Sequence, residues 1–398
     1  MVSEKKKMLF VIDSLDCAGA EKSLVTLLSL LDYQKFQVDL LLFGYGGMLE
    51  TFLPKEVNLL PPLSYTKFSE KKLSAQLYQL NKISLRMLKA RLKYTFRLRL
   101  KKRTNLQKAR VYWESISSVI DNNPNSYDIA ISYAQGVPTF YVAEKVKARK
   151  KFTWVNAVIK LNIKDKSYQK NFYETFNNII AVSDTTKKVF LDTFPEFQTK
   201  MKVIYDINDQ KFISRMSNLK YNNYIEFDGL KILTIGRLAS QKGYDIALEA
   251  CKKLKEAGVN FKWYVLGKGP LEEEINKYIQ QKDLNNYFIL LGTTANPYPI
   301  IKDSNIYVQT SRFEGFGLAI AEARMLNVPV VTTRFDAVYN QMVHKKNGLV
   351  VDMNSNAVFD GIMKLIEDVS LKEEIIEYLK TEPKGNLDEI DKFHNLIG

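Results

Sequence analysis

The stretch that decides the fold class is residues 231–269, KILTIGRLASQKGYDIALEACKKLKEAGVNFKWYVLGKG. Its apolar runs predict two buried strands, Lys231 to Ile235 and Lys262 to Leu266, each followed directly by a glycine. Between them, Tyr244 to Ala257 predicts a helix that Gly258 closes. A strand, a helix and a second strand in this order form the repeating unit of a parallel sheet.

The same alternation continues on both sides of this unit. Downstream, the pattern predicts helix Leu271 to Gln281, strand Phe288 to Leu291, strand Asn305 to Gln309, helix Leu318 to Leu326 and strand Pro329 to Thr332. Upstream, it predicts a helix from Glu21 to about Leu31 and the strands Met8 to Ile12, Val38 to Phe43, Ile129 to Ser132, Phe152 to Val155 and Asn178 to Val182. We therefore predict an α/β protein of two doubly wound, Rossmann-like domains that face a central cleft, where open parallel sheets bind ligands.

The chain divides into four parts by composition and pattern. We expect an N-terminal domain over residues 1–205, which contains a basic amphipathic segment at 71–113. Residues 206–228 are polar and rich in Asn and Tyr, which indicates a linker, and the second domain is expected over 229–375. Residues 376–398 are expected to form a helical segment that could pack back on the N-terminal domain.

Composition excludes several classes of protein. With 398 residues, 46% of them hydrophobic and 26% charged, the chain is globular and long enough for two domains. Its two cysteines, Cys17 and Cys251, and two histidines, His344 and His394, are too few for a Cys/His zinc site, and no Asp-x-Asp triplet occurs. No run of about 18 apolar residues occurs either, so we predict no membrane-spanning helix. The wide separation of the two cysteines suits reduced thiols, which predicts a cytoplasmic protein.

The net charge of +14 comes from one segment. Between Glu70 and Glu114 there are fourteen basic residues and no acidic one, and the rest of the chain is neutral. From Leu77 to Leu100 the apolar residues follow a helical period, with Leu85, Leu88, Leu92 and Phe96 on the same face as Leu77, beside a basic face of Lys82, Arg86, Lys89, Lys93 and Arg97. A basic amphipathic helix is typical of an element that binds an anionic membrane surface, here through residues 77–110 at the inner face of the plasma membrane. The alternatives are a solvated helix packed on the N-terminal domain and a nucleic-acid patch, and we predict no nucleic acid because no RNA-binding motif accompanies the segment.

Residues 314–322, EGFGLAIAE, contain two glutamates on either side of a glycine-rich turn into a helix. If the helix begins near Gly317, the backbone N–H groups of Phe316, Gly317 and Leu318 lack helical partners and can bind an anion. Glu322 lies one turn into the helix, at a distance from that anion that suits a ribose, and Glu314 can accept hydrogen bonds from sugar hydroxyls. The alternative is that both are solvated or capping carboxylates.

A second motif, GRLASQKG at residues 236–243, places two cations after a predicted strand. Arg237 and Lys242 could together hold a diphosphate, or they could be an ordinary surface pair. The sequence GKGP at residues 267–270 allows the backbone to approach a ligand at the end of the next strand, although alone it is only a turn.

Together these motifs resemble the retaining nucleotide-sugar glycosyltransferases of family four, whose GT-B fold has two facing Rossmann-like domains. The resemblance is strongest from about Lys231 to Val351, through GRLASQKG, VLGKGP, LLGTTANPY, SRFEGFGLAIAEA and NGLVV. It continues more faintly in AGAEK near Gly19, IIAVS near Ser183 and VIYDIND before the linker. The first turn lacks G-x-G-x-x-G, which disfavours a nicotinamide dehydrogenase.

The resemblance implies roles for single residues. Arg237 and Lys242 would stabilise the leaving nucleoside diphosphate, Glu314 would contact the donor sugar, and Glu322 would bind the ribose. It also places Gly19 against the diphosphate or the sugar, and Thr294 and Tyr298 beside the nucleobase. The backbone at Gly267, Phe316, Gly317 and Leu318 completes the expected donor-binding positions. The resemblance also implies that no metal is needed, because fixed cations offset the charge on the leaving phosphate.

One position departs from the family. Many relatives carry a histidine facing the donor sugar after the strand that ends at Val155, whereas this chain has Asn156. An amide can hydrogen-bond a hydroxyl but cannot hold a proton, so Asn156 either replaces the histidine or only caps a loop.

We therefore expect a retaining hexosyltransferase that uses a nucleoside-diphosphate sugar, with uridine as the base, and a saccharide or polyprenyl-linked acceptor in bacterial surface polysaccharide or glycolipid synthesis. The rivals are a GT-B nucleotide-sugar epimerase or hydrolase and a non-catalytic nucleotide-sugar-binding subunit.

Overall fold

The computed structural model describes residues 5–72, 74, 82–100, 103–156, 161–219 and 227–398. They form two compact units. The first comprises the chain to Asp16, Ala20–Ile204 and Asp391–Gly398, and the second comprises Cys17–Gly19 and Tyr205–Ile390. The prediction of two doubly wound, Rossmann-like units is confirmed.

The first unit is built on a parallel sheet in the order β3-β2-β1-β4-β5-β6-β7. Its strands are β1 (Lys6–Ile12), β2 (Phe36–Leu42), β3 (Val57–Leu59), β4 (Ser126–Ser132), β5 (Lys147–Val155), β6 (Asn178–Ala181) and β7 (Met201–Val203). Its helices are α1 (Gly19–Ser29), α2 (Ser64–Glu70), α3 (Lys82–Arg99), α4 (Asn105–Ile116), α5 (Val137–Lys145), α6 (Ile163–Tyr173) and α7 (Asp184–Thr193). Residues Met8 to Val11 of β1 are completely buried, which explains why that strand is a continuous apolar run.

The second unit has a parallel sheet in the order β10-β9-β8-β11-β12-β13. Its strands are β8 (Leu230–Ile235), β9 (Phe261–Leu266), β10 (Phe288–Gly292), β11 (Ile306–Gln309), β12 (Val330–Thr333) and β13 (Gly348–Val351). Its helices are α8 (Gln210–Ser217), α9 (Tyr244–Glu256), α10 (Glu272–Gln281), α11 (Tyr298–Asp303), α12 (Leu318–Met325), α13 (Ser355–Glu367) and α14 (Val369–Thr381). The strand order reverses between β8 and β11, so the turns after these strands border the crevice in which such sheets bind ligands.

Two of the expected domain limits differ from the structure. The stretch 206–228, expected as a linker, contains α8, whose Ile213 and Met216 are buried in the second unit, and residues 220–226 lie outside the described part. The limit expected at 375 falls inside α14 because that helix is continuous to Thr381.

The last helix, α15 (Glu389–Ile397), contributes its final residues to the first unit. Phe393 is completely buried there. Its ring is stacked 6.3 Å from that of Phe10 and lies tilted at 6.1 Å from that of Trp154. Only Asp391–Gly398 therefore belongs to the first unit, a shorter segment than the expected 376–398.

The basic segment forms α3, but its faces differ from the expected ones. Met87, Leu88 and Ala90 are buried in the core of the first unit, while Leu92 and Phe96 are 51% and 66% exposed. Leu88 was expected on the same face as Leu92, but the core buries Leu88 and leaves Leu92 exposed. Leu77 and the neighbouring residues 75–81, as well as Lys101 and Lys102, lie outside the described residues.

Candidate functional site

Glu314 is a buried acidic side chain at the carboxyl end of the second sheet. It follows β11 and is only 9% exposed. Its Oε1 accepts hydrogen bonds from Lys242 Nζ at 2.5 Å, Ser311 Oγ at 2.5 Å and Gln309 Nε2 at 3.1 Å. Among the described residues, every side-chain donor to the Glu314 carboxylate bonds to Oε1. None of these residues donates to Oε2. This geometry leaves Oε2 able to accept a hydrogen bond from a ligand.

A glycine places Lys242 beside that carboxylate. Gly243 has a φ of 64°, and a Cβ built on it would lie 2.1 Å from the carbonyl oxygen of Thr310. A residue with a side chain would therefore push the turn after β8 away from the end of β11. In addition, the Thr310 hydroxyl donates to the Lys242 carbonyl at 2.9 Å. Lys242 and Glu314, which the sequence indicated separately and which are 72 residues apart in the chain, are thus held together by backbone packing.

Arg237 lies in the same turn and has a different environment. It is exposed, and among the described residues its guanidinium forms no ion pair. A cation without a protein counter-ion at the carboxyl end of a strand is available to an anionic ligand.

Gly267 is required by the packing of the turns. A Cβ at this position would lie 1.9 Å from the carbonyl oxygen of Gly236, and the Gly267 N–H donates to the Gly292 carbonyl at 2.7 Å. Gly236 and Gly267, directly after β8 and β9, and Gly292, the last residue of β10, therefore bring three strand ends into direct backbone contact. The expected approach of a ligand to Gly267 stays a prediction.

Helix α12 begins at Leu318, as expected, with Gly317 as its N-cap residue at a φ of 87°. Gln341 Nε2 donates to the carbonyl oxygens of Phe316 at 2.6 Å and Gly317 at 3.1 Å, and thereby holds the turn that leads into the helix. The sequence did not indicate Gln341, because it lies 24 residues after Gly317 and belongs to none of the motifs.

Arg324, which is paired with Glu382, contacts the side chain of Gln341. Arg324 forms a two-pronged ion pair with Glu382 at 2.6 and 3.1 Å and also contacts Gln341 Oε1 at 3.5 Å. Both charged side chains are largely buried, so this ion pair restrains Arg324 and, through it, the side chain of Gln341.

The second glutamate of the motif, Glu322, is 2% exposed and accepts a hydrogen bond from Tyr298 at 3.1 Å. Burial, followed by the nearby carboxylate of Glu322, raises the pKa of Tyr298 well above its ordinary value, so this hydroxyl remains a donor. Thr294 shapes the turn before Tyr298, since its Oγ1 accepts from the Asn296 N–H at 3.3 Å. The structure brings Tyr298 and Glu322 together, and their expected contacts with base and ribose stay predictions.

Gly19 and Asn156 complete the expected set. Gly19 begins α1 and groups with the second unit, where a Cβ on it would lie 3.2 Å from Leu318 Cδ1. Asn156 follows β5 in the first unit, and its Nδ2 donates to the Tyr133 carbonyl at 3.3 Å. Its carbonyl oxygen, Oδ1, is buried without a protein donor among the described residues. That free acceptor fits a hydroxyl ligand, and the role of Asn156 stays a prediction.

Within the described ranges, no three His, Cys, Asp or Glu side chains come together in a way that would hold a metal ion. The expectation of a metal-independent reaction stays a prediction. In the same part of the chain, none of the helices has the length and apolar character needed to span a bilayer.

Comparison with known proteins shows what this chain is similar to. Residues 221–382 match the family described as glycosyl transferases group 1. The chain is 29% identical over 230 residues to a poly(ribitol-phosphate) alpha-N-acetylglucosaminyltransferase of Staphylococcus aureus. This match covers 54% of this chain and 44% of that protein. It is also 29% identical over 156 residues to an N-acetylgalactosamine-N,N'-diacetylbacillosaminyl-diphospho-undecaprenol 4-alpha-N-acetylgalactosaminyltransferase of Campylobacter jejuni, over 39% of this chain and 42% of that protein. The matched part is thus less than half the length of either relative.

The fold is similar along nearly the whole chain to that of Alr3699/HepE of Anabaena, solved in complex with UDP and glucose. The TM-score is 0.69 at 18% identity, and the match covers 98% of each chain. The two Rossmann-like units therefore have the GT-B fold, as expected. The match to the family described as glycosyl transferases group 1 covers residues 221–382, which is less than half of the chain.

Proposed function

We propose that this protein is a retaining glycosyltransferase that transfers a hexosyl group from a UDP-linked sugar to a saccharide or lipid-linked acceptor in bacterial surface polysaccharide or glycolipid synthesis. The observation that carries the proposal is the pairing of Glu314 with Lys242 at 2.5 Å, in the same turn as the unpaired Arg237. A carboxylate beside one cation, with a second cation in the same turn as the first, matches a ligand that combines sugar hydroxyls with a diphosphate.

Each side chain has a separate task in this proposal. Arg237 and Lys242 offset the charge that develops on the leaving diphosphate, Glu314 accepts a hydrogen bond from a donor-sugar hydroxyl, and Glu322 accepts from the ribose. The bond between the anomeric carbon and the phosphate oxygen breaks while the acceptor oxygen bonds to the same carbon. The proton of the acceptor hydroxyl passes to the departing diphosphate. None of these steps requires a side chain to act as a nucleophile.

The relatives support the chemical class of donor and acceptor. The protein of Staphylococcus aureus is named for transfer of N-acetylglucosamine, and that of Campylobacter jejuni for an undecaprenol-linked acceptor. The Anabaena structure contains UDP and glucose. A uridine-linked donor and a polyprenyl-linked acceptor are therefore the first choices for this chain.

The exposed face of α3 supports association with an anionic membrane. Leu85, Leu92 and Phe96 project from this face at 41%, 51% and 66% exposure. The cations Arg86, Lys89, Lys93 and Arg99 are exposed beside them. Exposed apolar side chains flanked by cations fit the interface of an anionic leaflet. They lie on the N-terminal unit, which holds the acceptor in the GT-B enzymes that this chain resembles. This supports a peripheral position on the inner face of the plasma membrane.

Two of the basic residues in the segment serve the fold. Arg97 pairs with Glu114, and Arg110 pairs with Asp165 at 3.1 Å. Their charges are therefore balanced within the first unit, and the membrane interaction rests on the exposed cations.

A thermal-shift screen over nucleotide sugars tests the donor, because a ligand at 100 times its Kd stabilises the folded state by about 2.7 kcal/mol. The donor that stabilises most is then incubated with a lipid-linked saccharide acceptor. We expect a new glycosidic bond whose anomeric proton has the coupling constant of the donor's configuration. Release of free sugar alone, an altered sugar still attached to the nucleotide, or binding without turnover would each overturn the proposal, and these outcomes would indicate a hydrolase, an epimerase or a non-catalytic subunit.

A further inference from the structure

Lys242, one of the two cations assigned to the diphosphate, is bound by a carboxylate of the protein itself. Its ammonium group lies 2.5 Å from Glu314 Oε1, and the two side chains are 19% and 9% exposed. A diphosphate that approaches Lys242 therefore meets a cation whose charge is already largely balanced. Arg237, in the same turn, has no such counter-ion among the described residues.

Glu314 cannot easily move away from Lys242. Ser311 and Gln309 donate to the same Oε1 atom at 2.5 and 3.1 Å, and Gln309 also donates to Ser311 Oγ at 2.6 Å. All three side chains are buried, so these hydrogen bonds restrain the carboxylate beside Lys242.

We propose that Glu314 is an internal counter-ion that competes with the diphosphate for Lys242 and so weakens the binding of the nucleoside diphosphate on its own. The inference rests on the proposed function, since it assumes that the site binds a nucleoside diphosphate. An intact donor gains back the lost affinity, because its sugar hydroxyls can bond to Glu314 Oε2. The same carboxylate thus favours the substrate over the product that must leave.

The isosteric variant Glu314→Gln tests this directly. It removes the negative charge and keeps an oxygen that can accept from Lys242 and Ser311. Calorimetry with UDP should show binding about fivefold tighter than wild type, equivalent to about 1 kcal/mol. In the background of Lys242→Ala the same change should have little effect, because the group for which Glu314 competes is gone.

Asp245→Asn is the matched control. Asp245 lies three residues after Lys242 and pairs with Arg312 at 2.7 Å, so this variant removes one negative charge from the same region without touching Lys242. We expect UDP affinity to change by less than about twofold, as for an exposed pair. A gain as large as that of Glu314→Gln would mean that net charge alone controls affinity, and the inference would be wrong.

The possible failures are distinguishable. If no nucleoside diphosphate binds to the folded wild-type protein, the proposed function fails. If UDP binds to wild type and Glu314→Gln binds it equally or more weakly, with a thermal unfolding curve like that of wild type, only the counter-ion inference fails. If Glu314→Gln does not fold, Glu314→Ala is measured in its place, with the same expected gain in UDP affinity and the same overturning result.

Discussion

The hydroxyl of Tyr298 donates a 3.1 Å hydrogen bond to Glu322, and both side chains are buried within the second unit. Glu322 is the glutamate proposed to bind the ribose, so Tyr298 determines how its carboxylate is presented.

Tyr298→Phe should destabilise the protein by about 1 to 2 kcal/mol, because a buried carboxylate loses a donor. It should also weaken UDP binding several-fold, since Glu322 is no longer held in place. Chemical denaturation and calorimetry measure the two effects. Tyr278→Phe is the control, because Tyr278 donates to Glu249 on the outer helices α10 and α9. Its UDP affinity should equal that of wild type, and a comparable loss in both variants would show that Tyr298 has no specific role.

Replacing Arg237 or Lys242 by Ala should lower turnover at least about a hundredfold, if each cation supplies about 3 kcal/mol in the transition state. Steady-state rates with the best donor provide the measurement. Arg312→Ala removes a nearby cation that pairs with Asp245 and should retain most of the activity. Near-native rates in both Arg237→Ala and Lys242→Ala would contradict the diphosphate assignment.

Gln341→Leu should raise the KM for the donor and weaken UDP binding, because the carbonyls of Phe316 and Gly317 lose the donor that holds their turn. We expect about a tenfold effect, in line with the loss of one or two hydrogen bonds. Asn340→Ala, at the exposed neighbouring position, is the control. If Gln341→Leu is folded and the two variants have equal KM values, Gln341 does not support the donor site.

The membrane proposal predicts binding to anionic vesicles and not to neutral ones, with binding that fades as salt shortens the Debye length from about 10 Å at 0.1 M to about 3 Å at 1 M. Reversing Arg86, Lys89 and Arg99 to Glu should abolish co-sedimentation, and Phe96→Ser should weaken it. Arg97 is left in place because it pairs with Glu114. The same charge change in the second unit, at the exposed Lys277, Lys282 and Lys346, should leave vesicle binding intact. Wild-type binding by the α3 variant would identify that face as merely solvated.

We expect Asp13, directly after β1, to make the stability of the first unit depend on pH. Burial raises the pKa of its carboxyl from 3.8 to about 7. Between about pH 4 and 7 the folded chain keeps a proton that the unfolded chain has released, so this group lowers stability as the pH rises. Asp13→Asn should therefore stabilise the protein relative to wild type more at pH 8 than at pH 5 in denaturant titrations. Asp16→Asn is the control, and an equal pH trend in both variants would contradict the assignment.

The sheets could be predicted because buried parallel strands are continuous apolar runs. The strand expected at Lys231 to Ile235 is observed at Leu230–Ile235, and the helix expected at Tyr244 to Ala257 is observed at Tyr244–Glu256. The orientation of α3 could not be predicted in this way. Periodicity groups Leu88 with Leu85 and Leu92, whereas the core of the first unit buries Leu88 alone among the three.

The candidate site was predictable only in part. The two motifs indicated Lys242 and Glu314 separately, and the turn at Gly243 explains why they meet. The surrounding residues, Gln309, Ser311 and Gln341, carry no signal of their own. Each is an ordinary polar residue whose role depends on a partner that only the folded backbone brings near.

The burial of Phe393 between Phe10 and Trp154 has a consequence for biosynthesis. A ribosome makes most of the first unit before the second, yet the aromatic core around β1 stays incomplete until residue 393 has been translated. We expect the nascent first unit to remain a partly folded species throughout synthesis of the second. A chain that stops before residue 391 should consequently be cleared by proteases, even though its donor-site residues are all present.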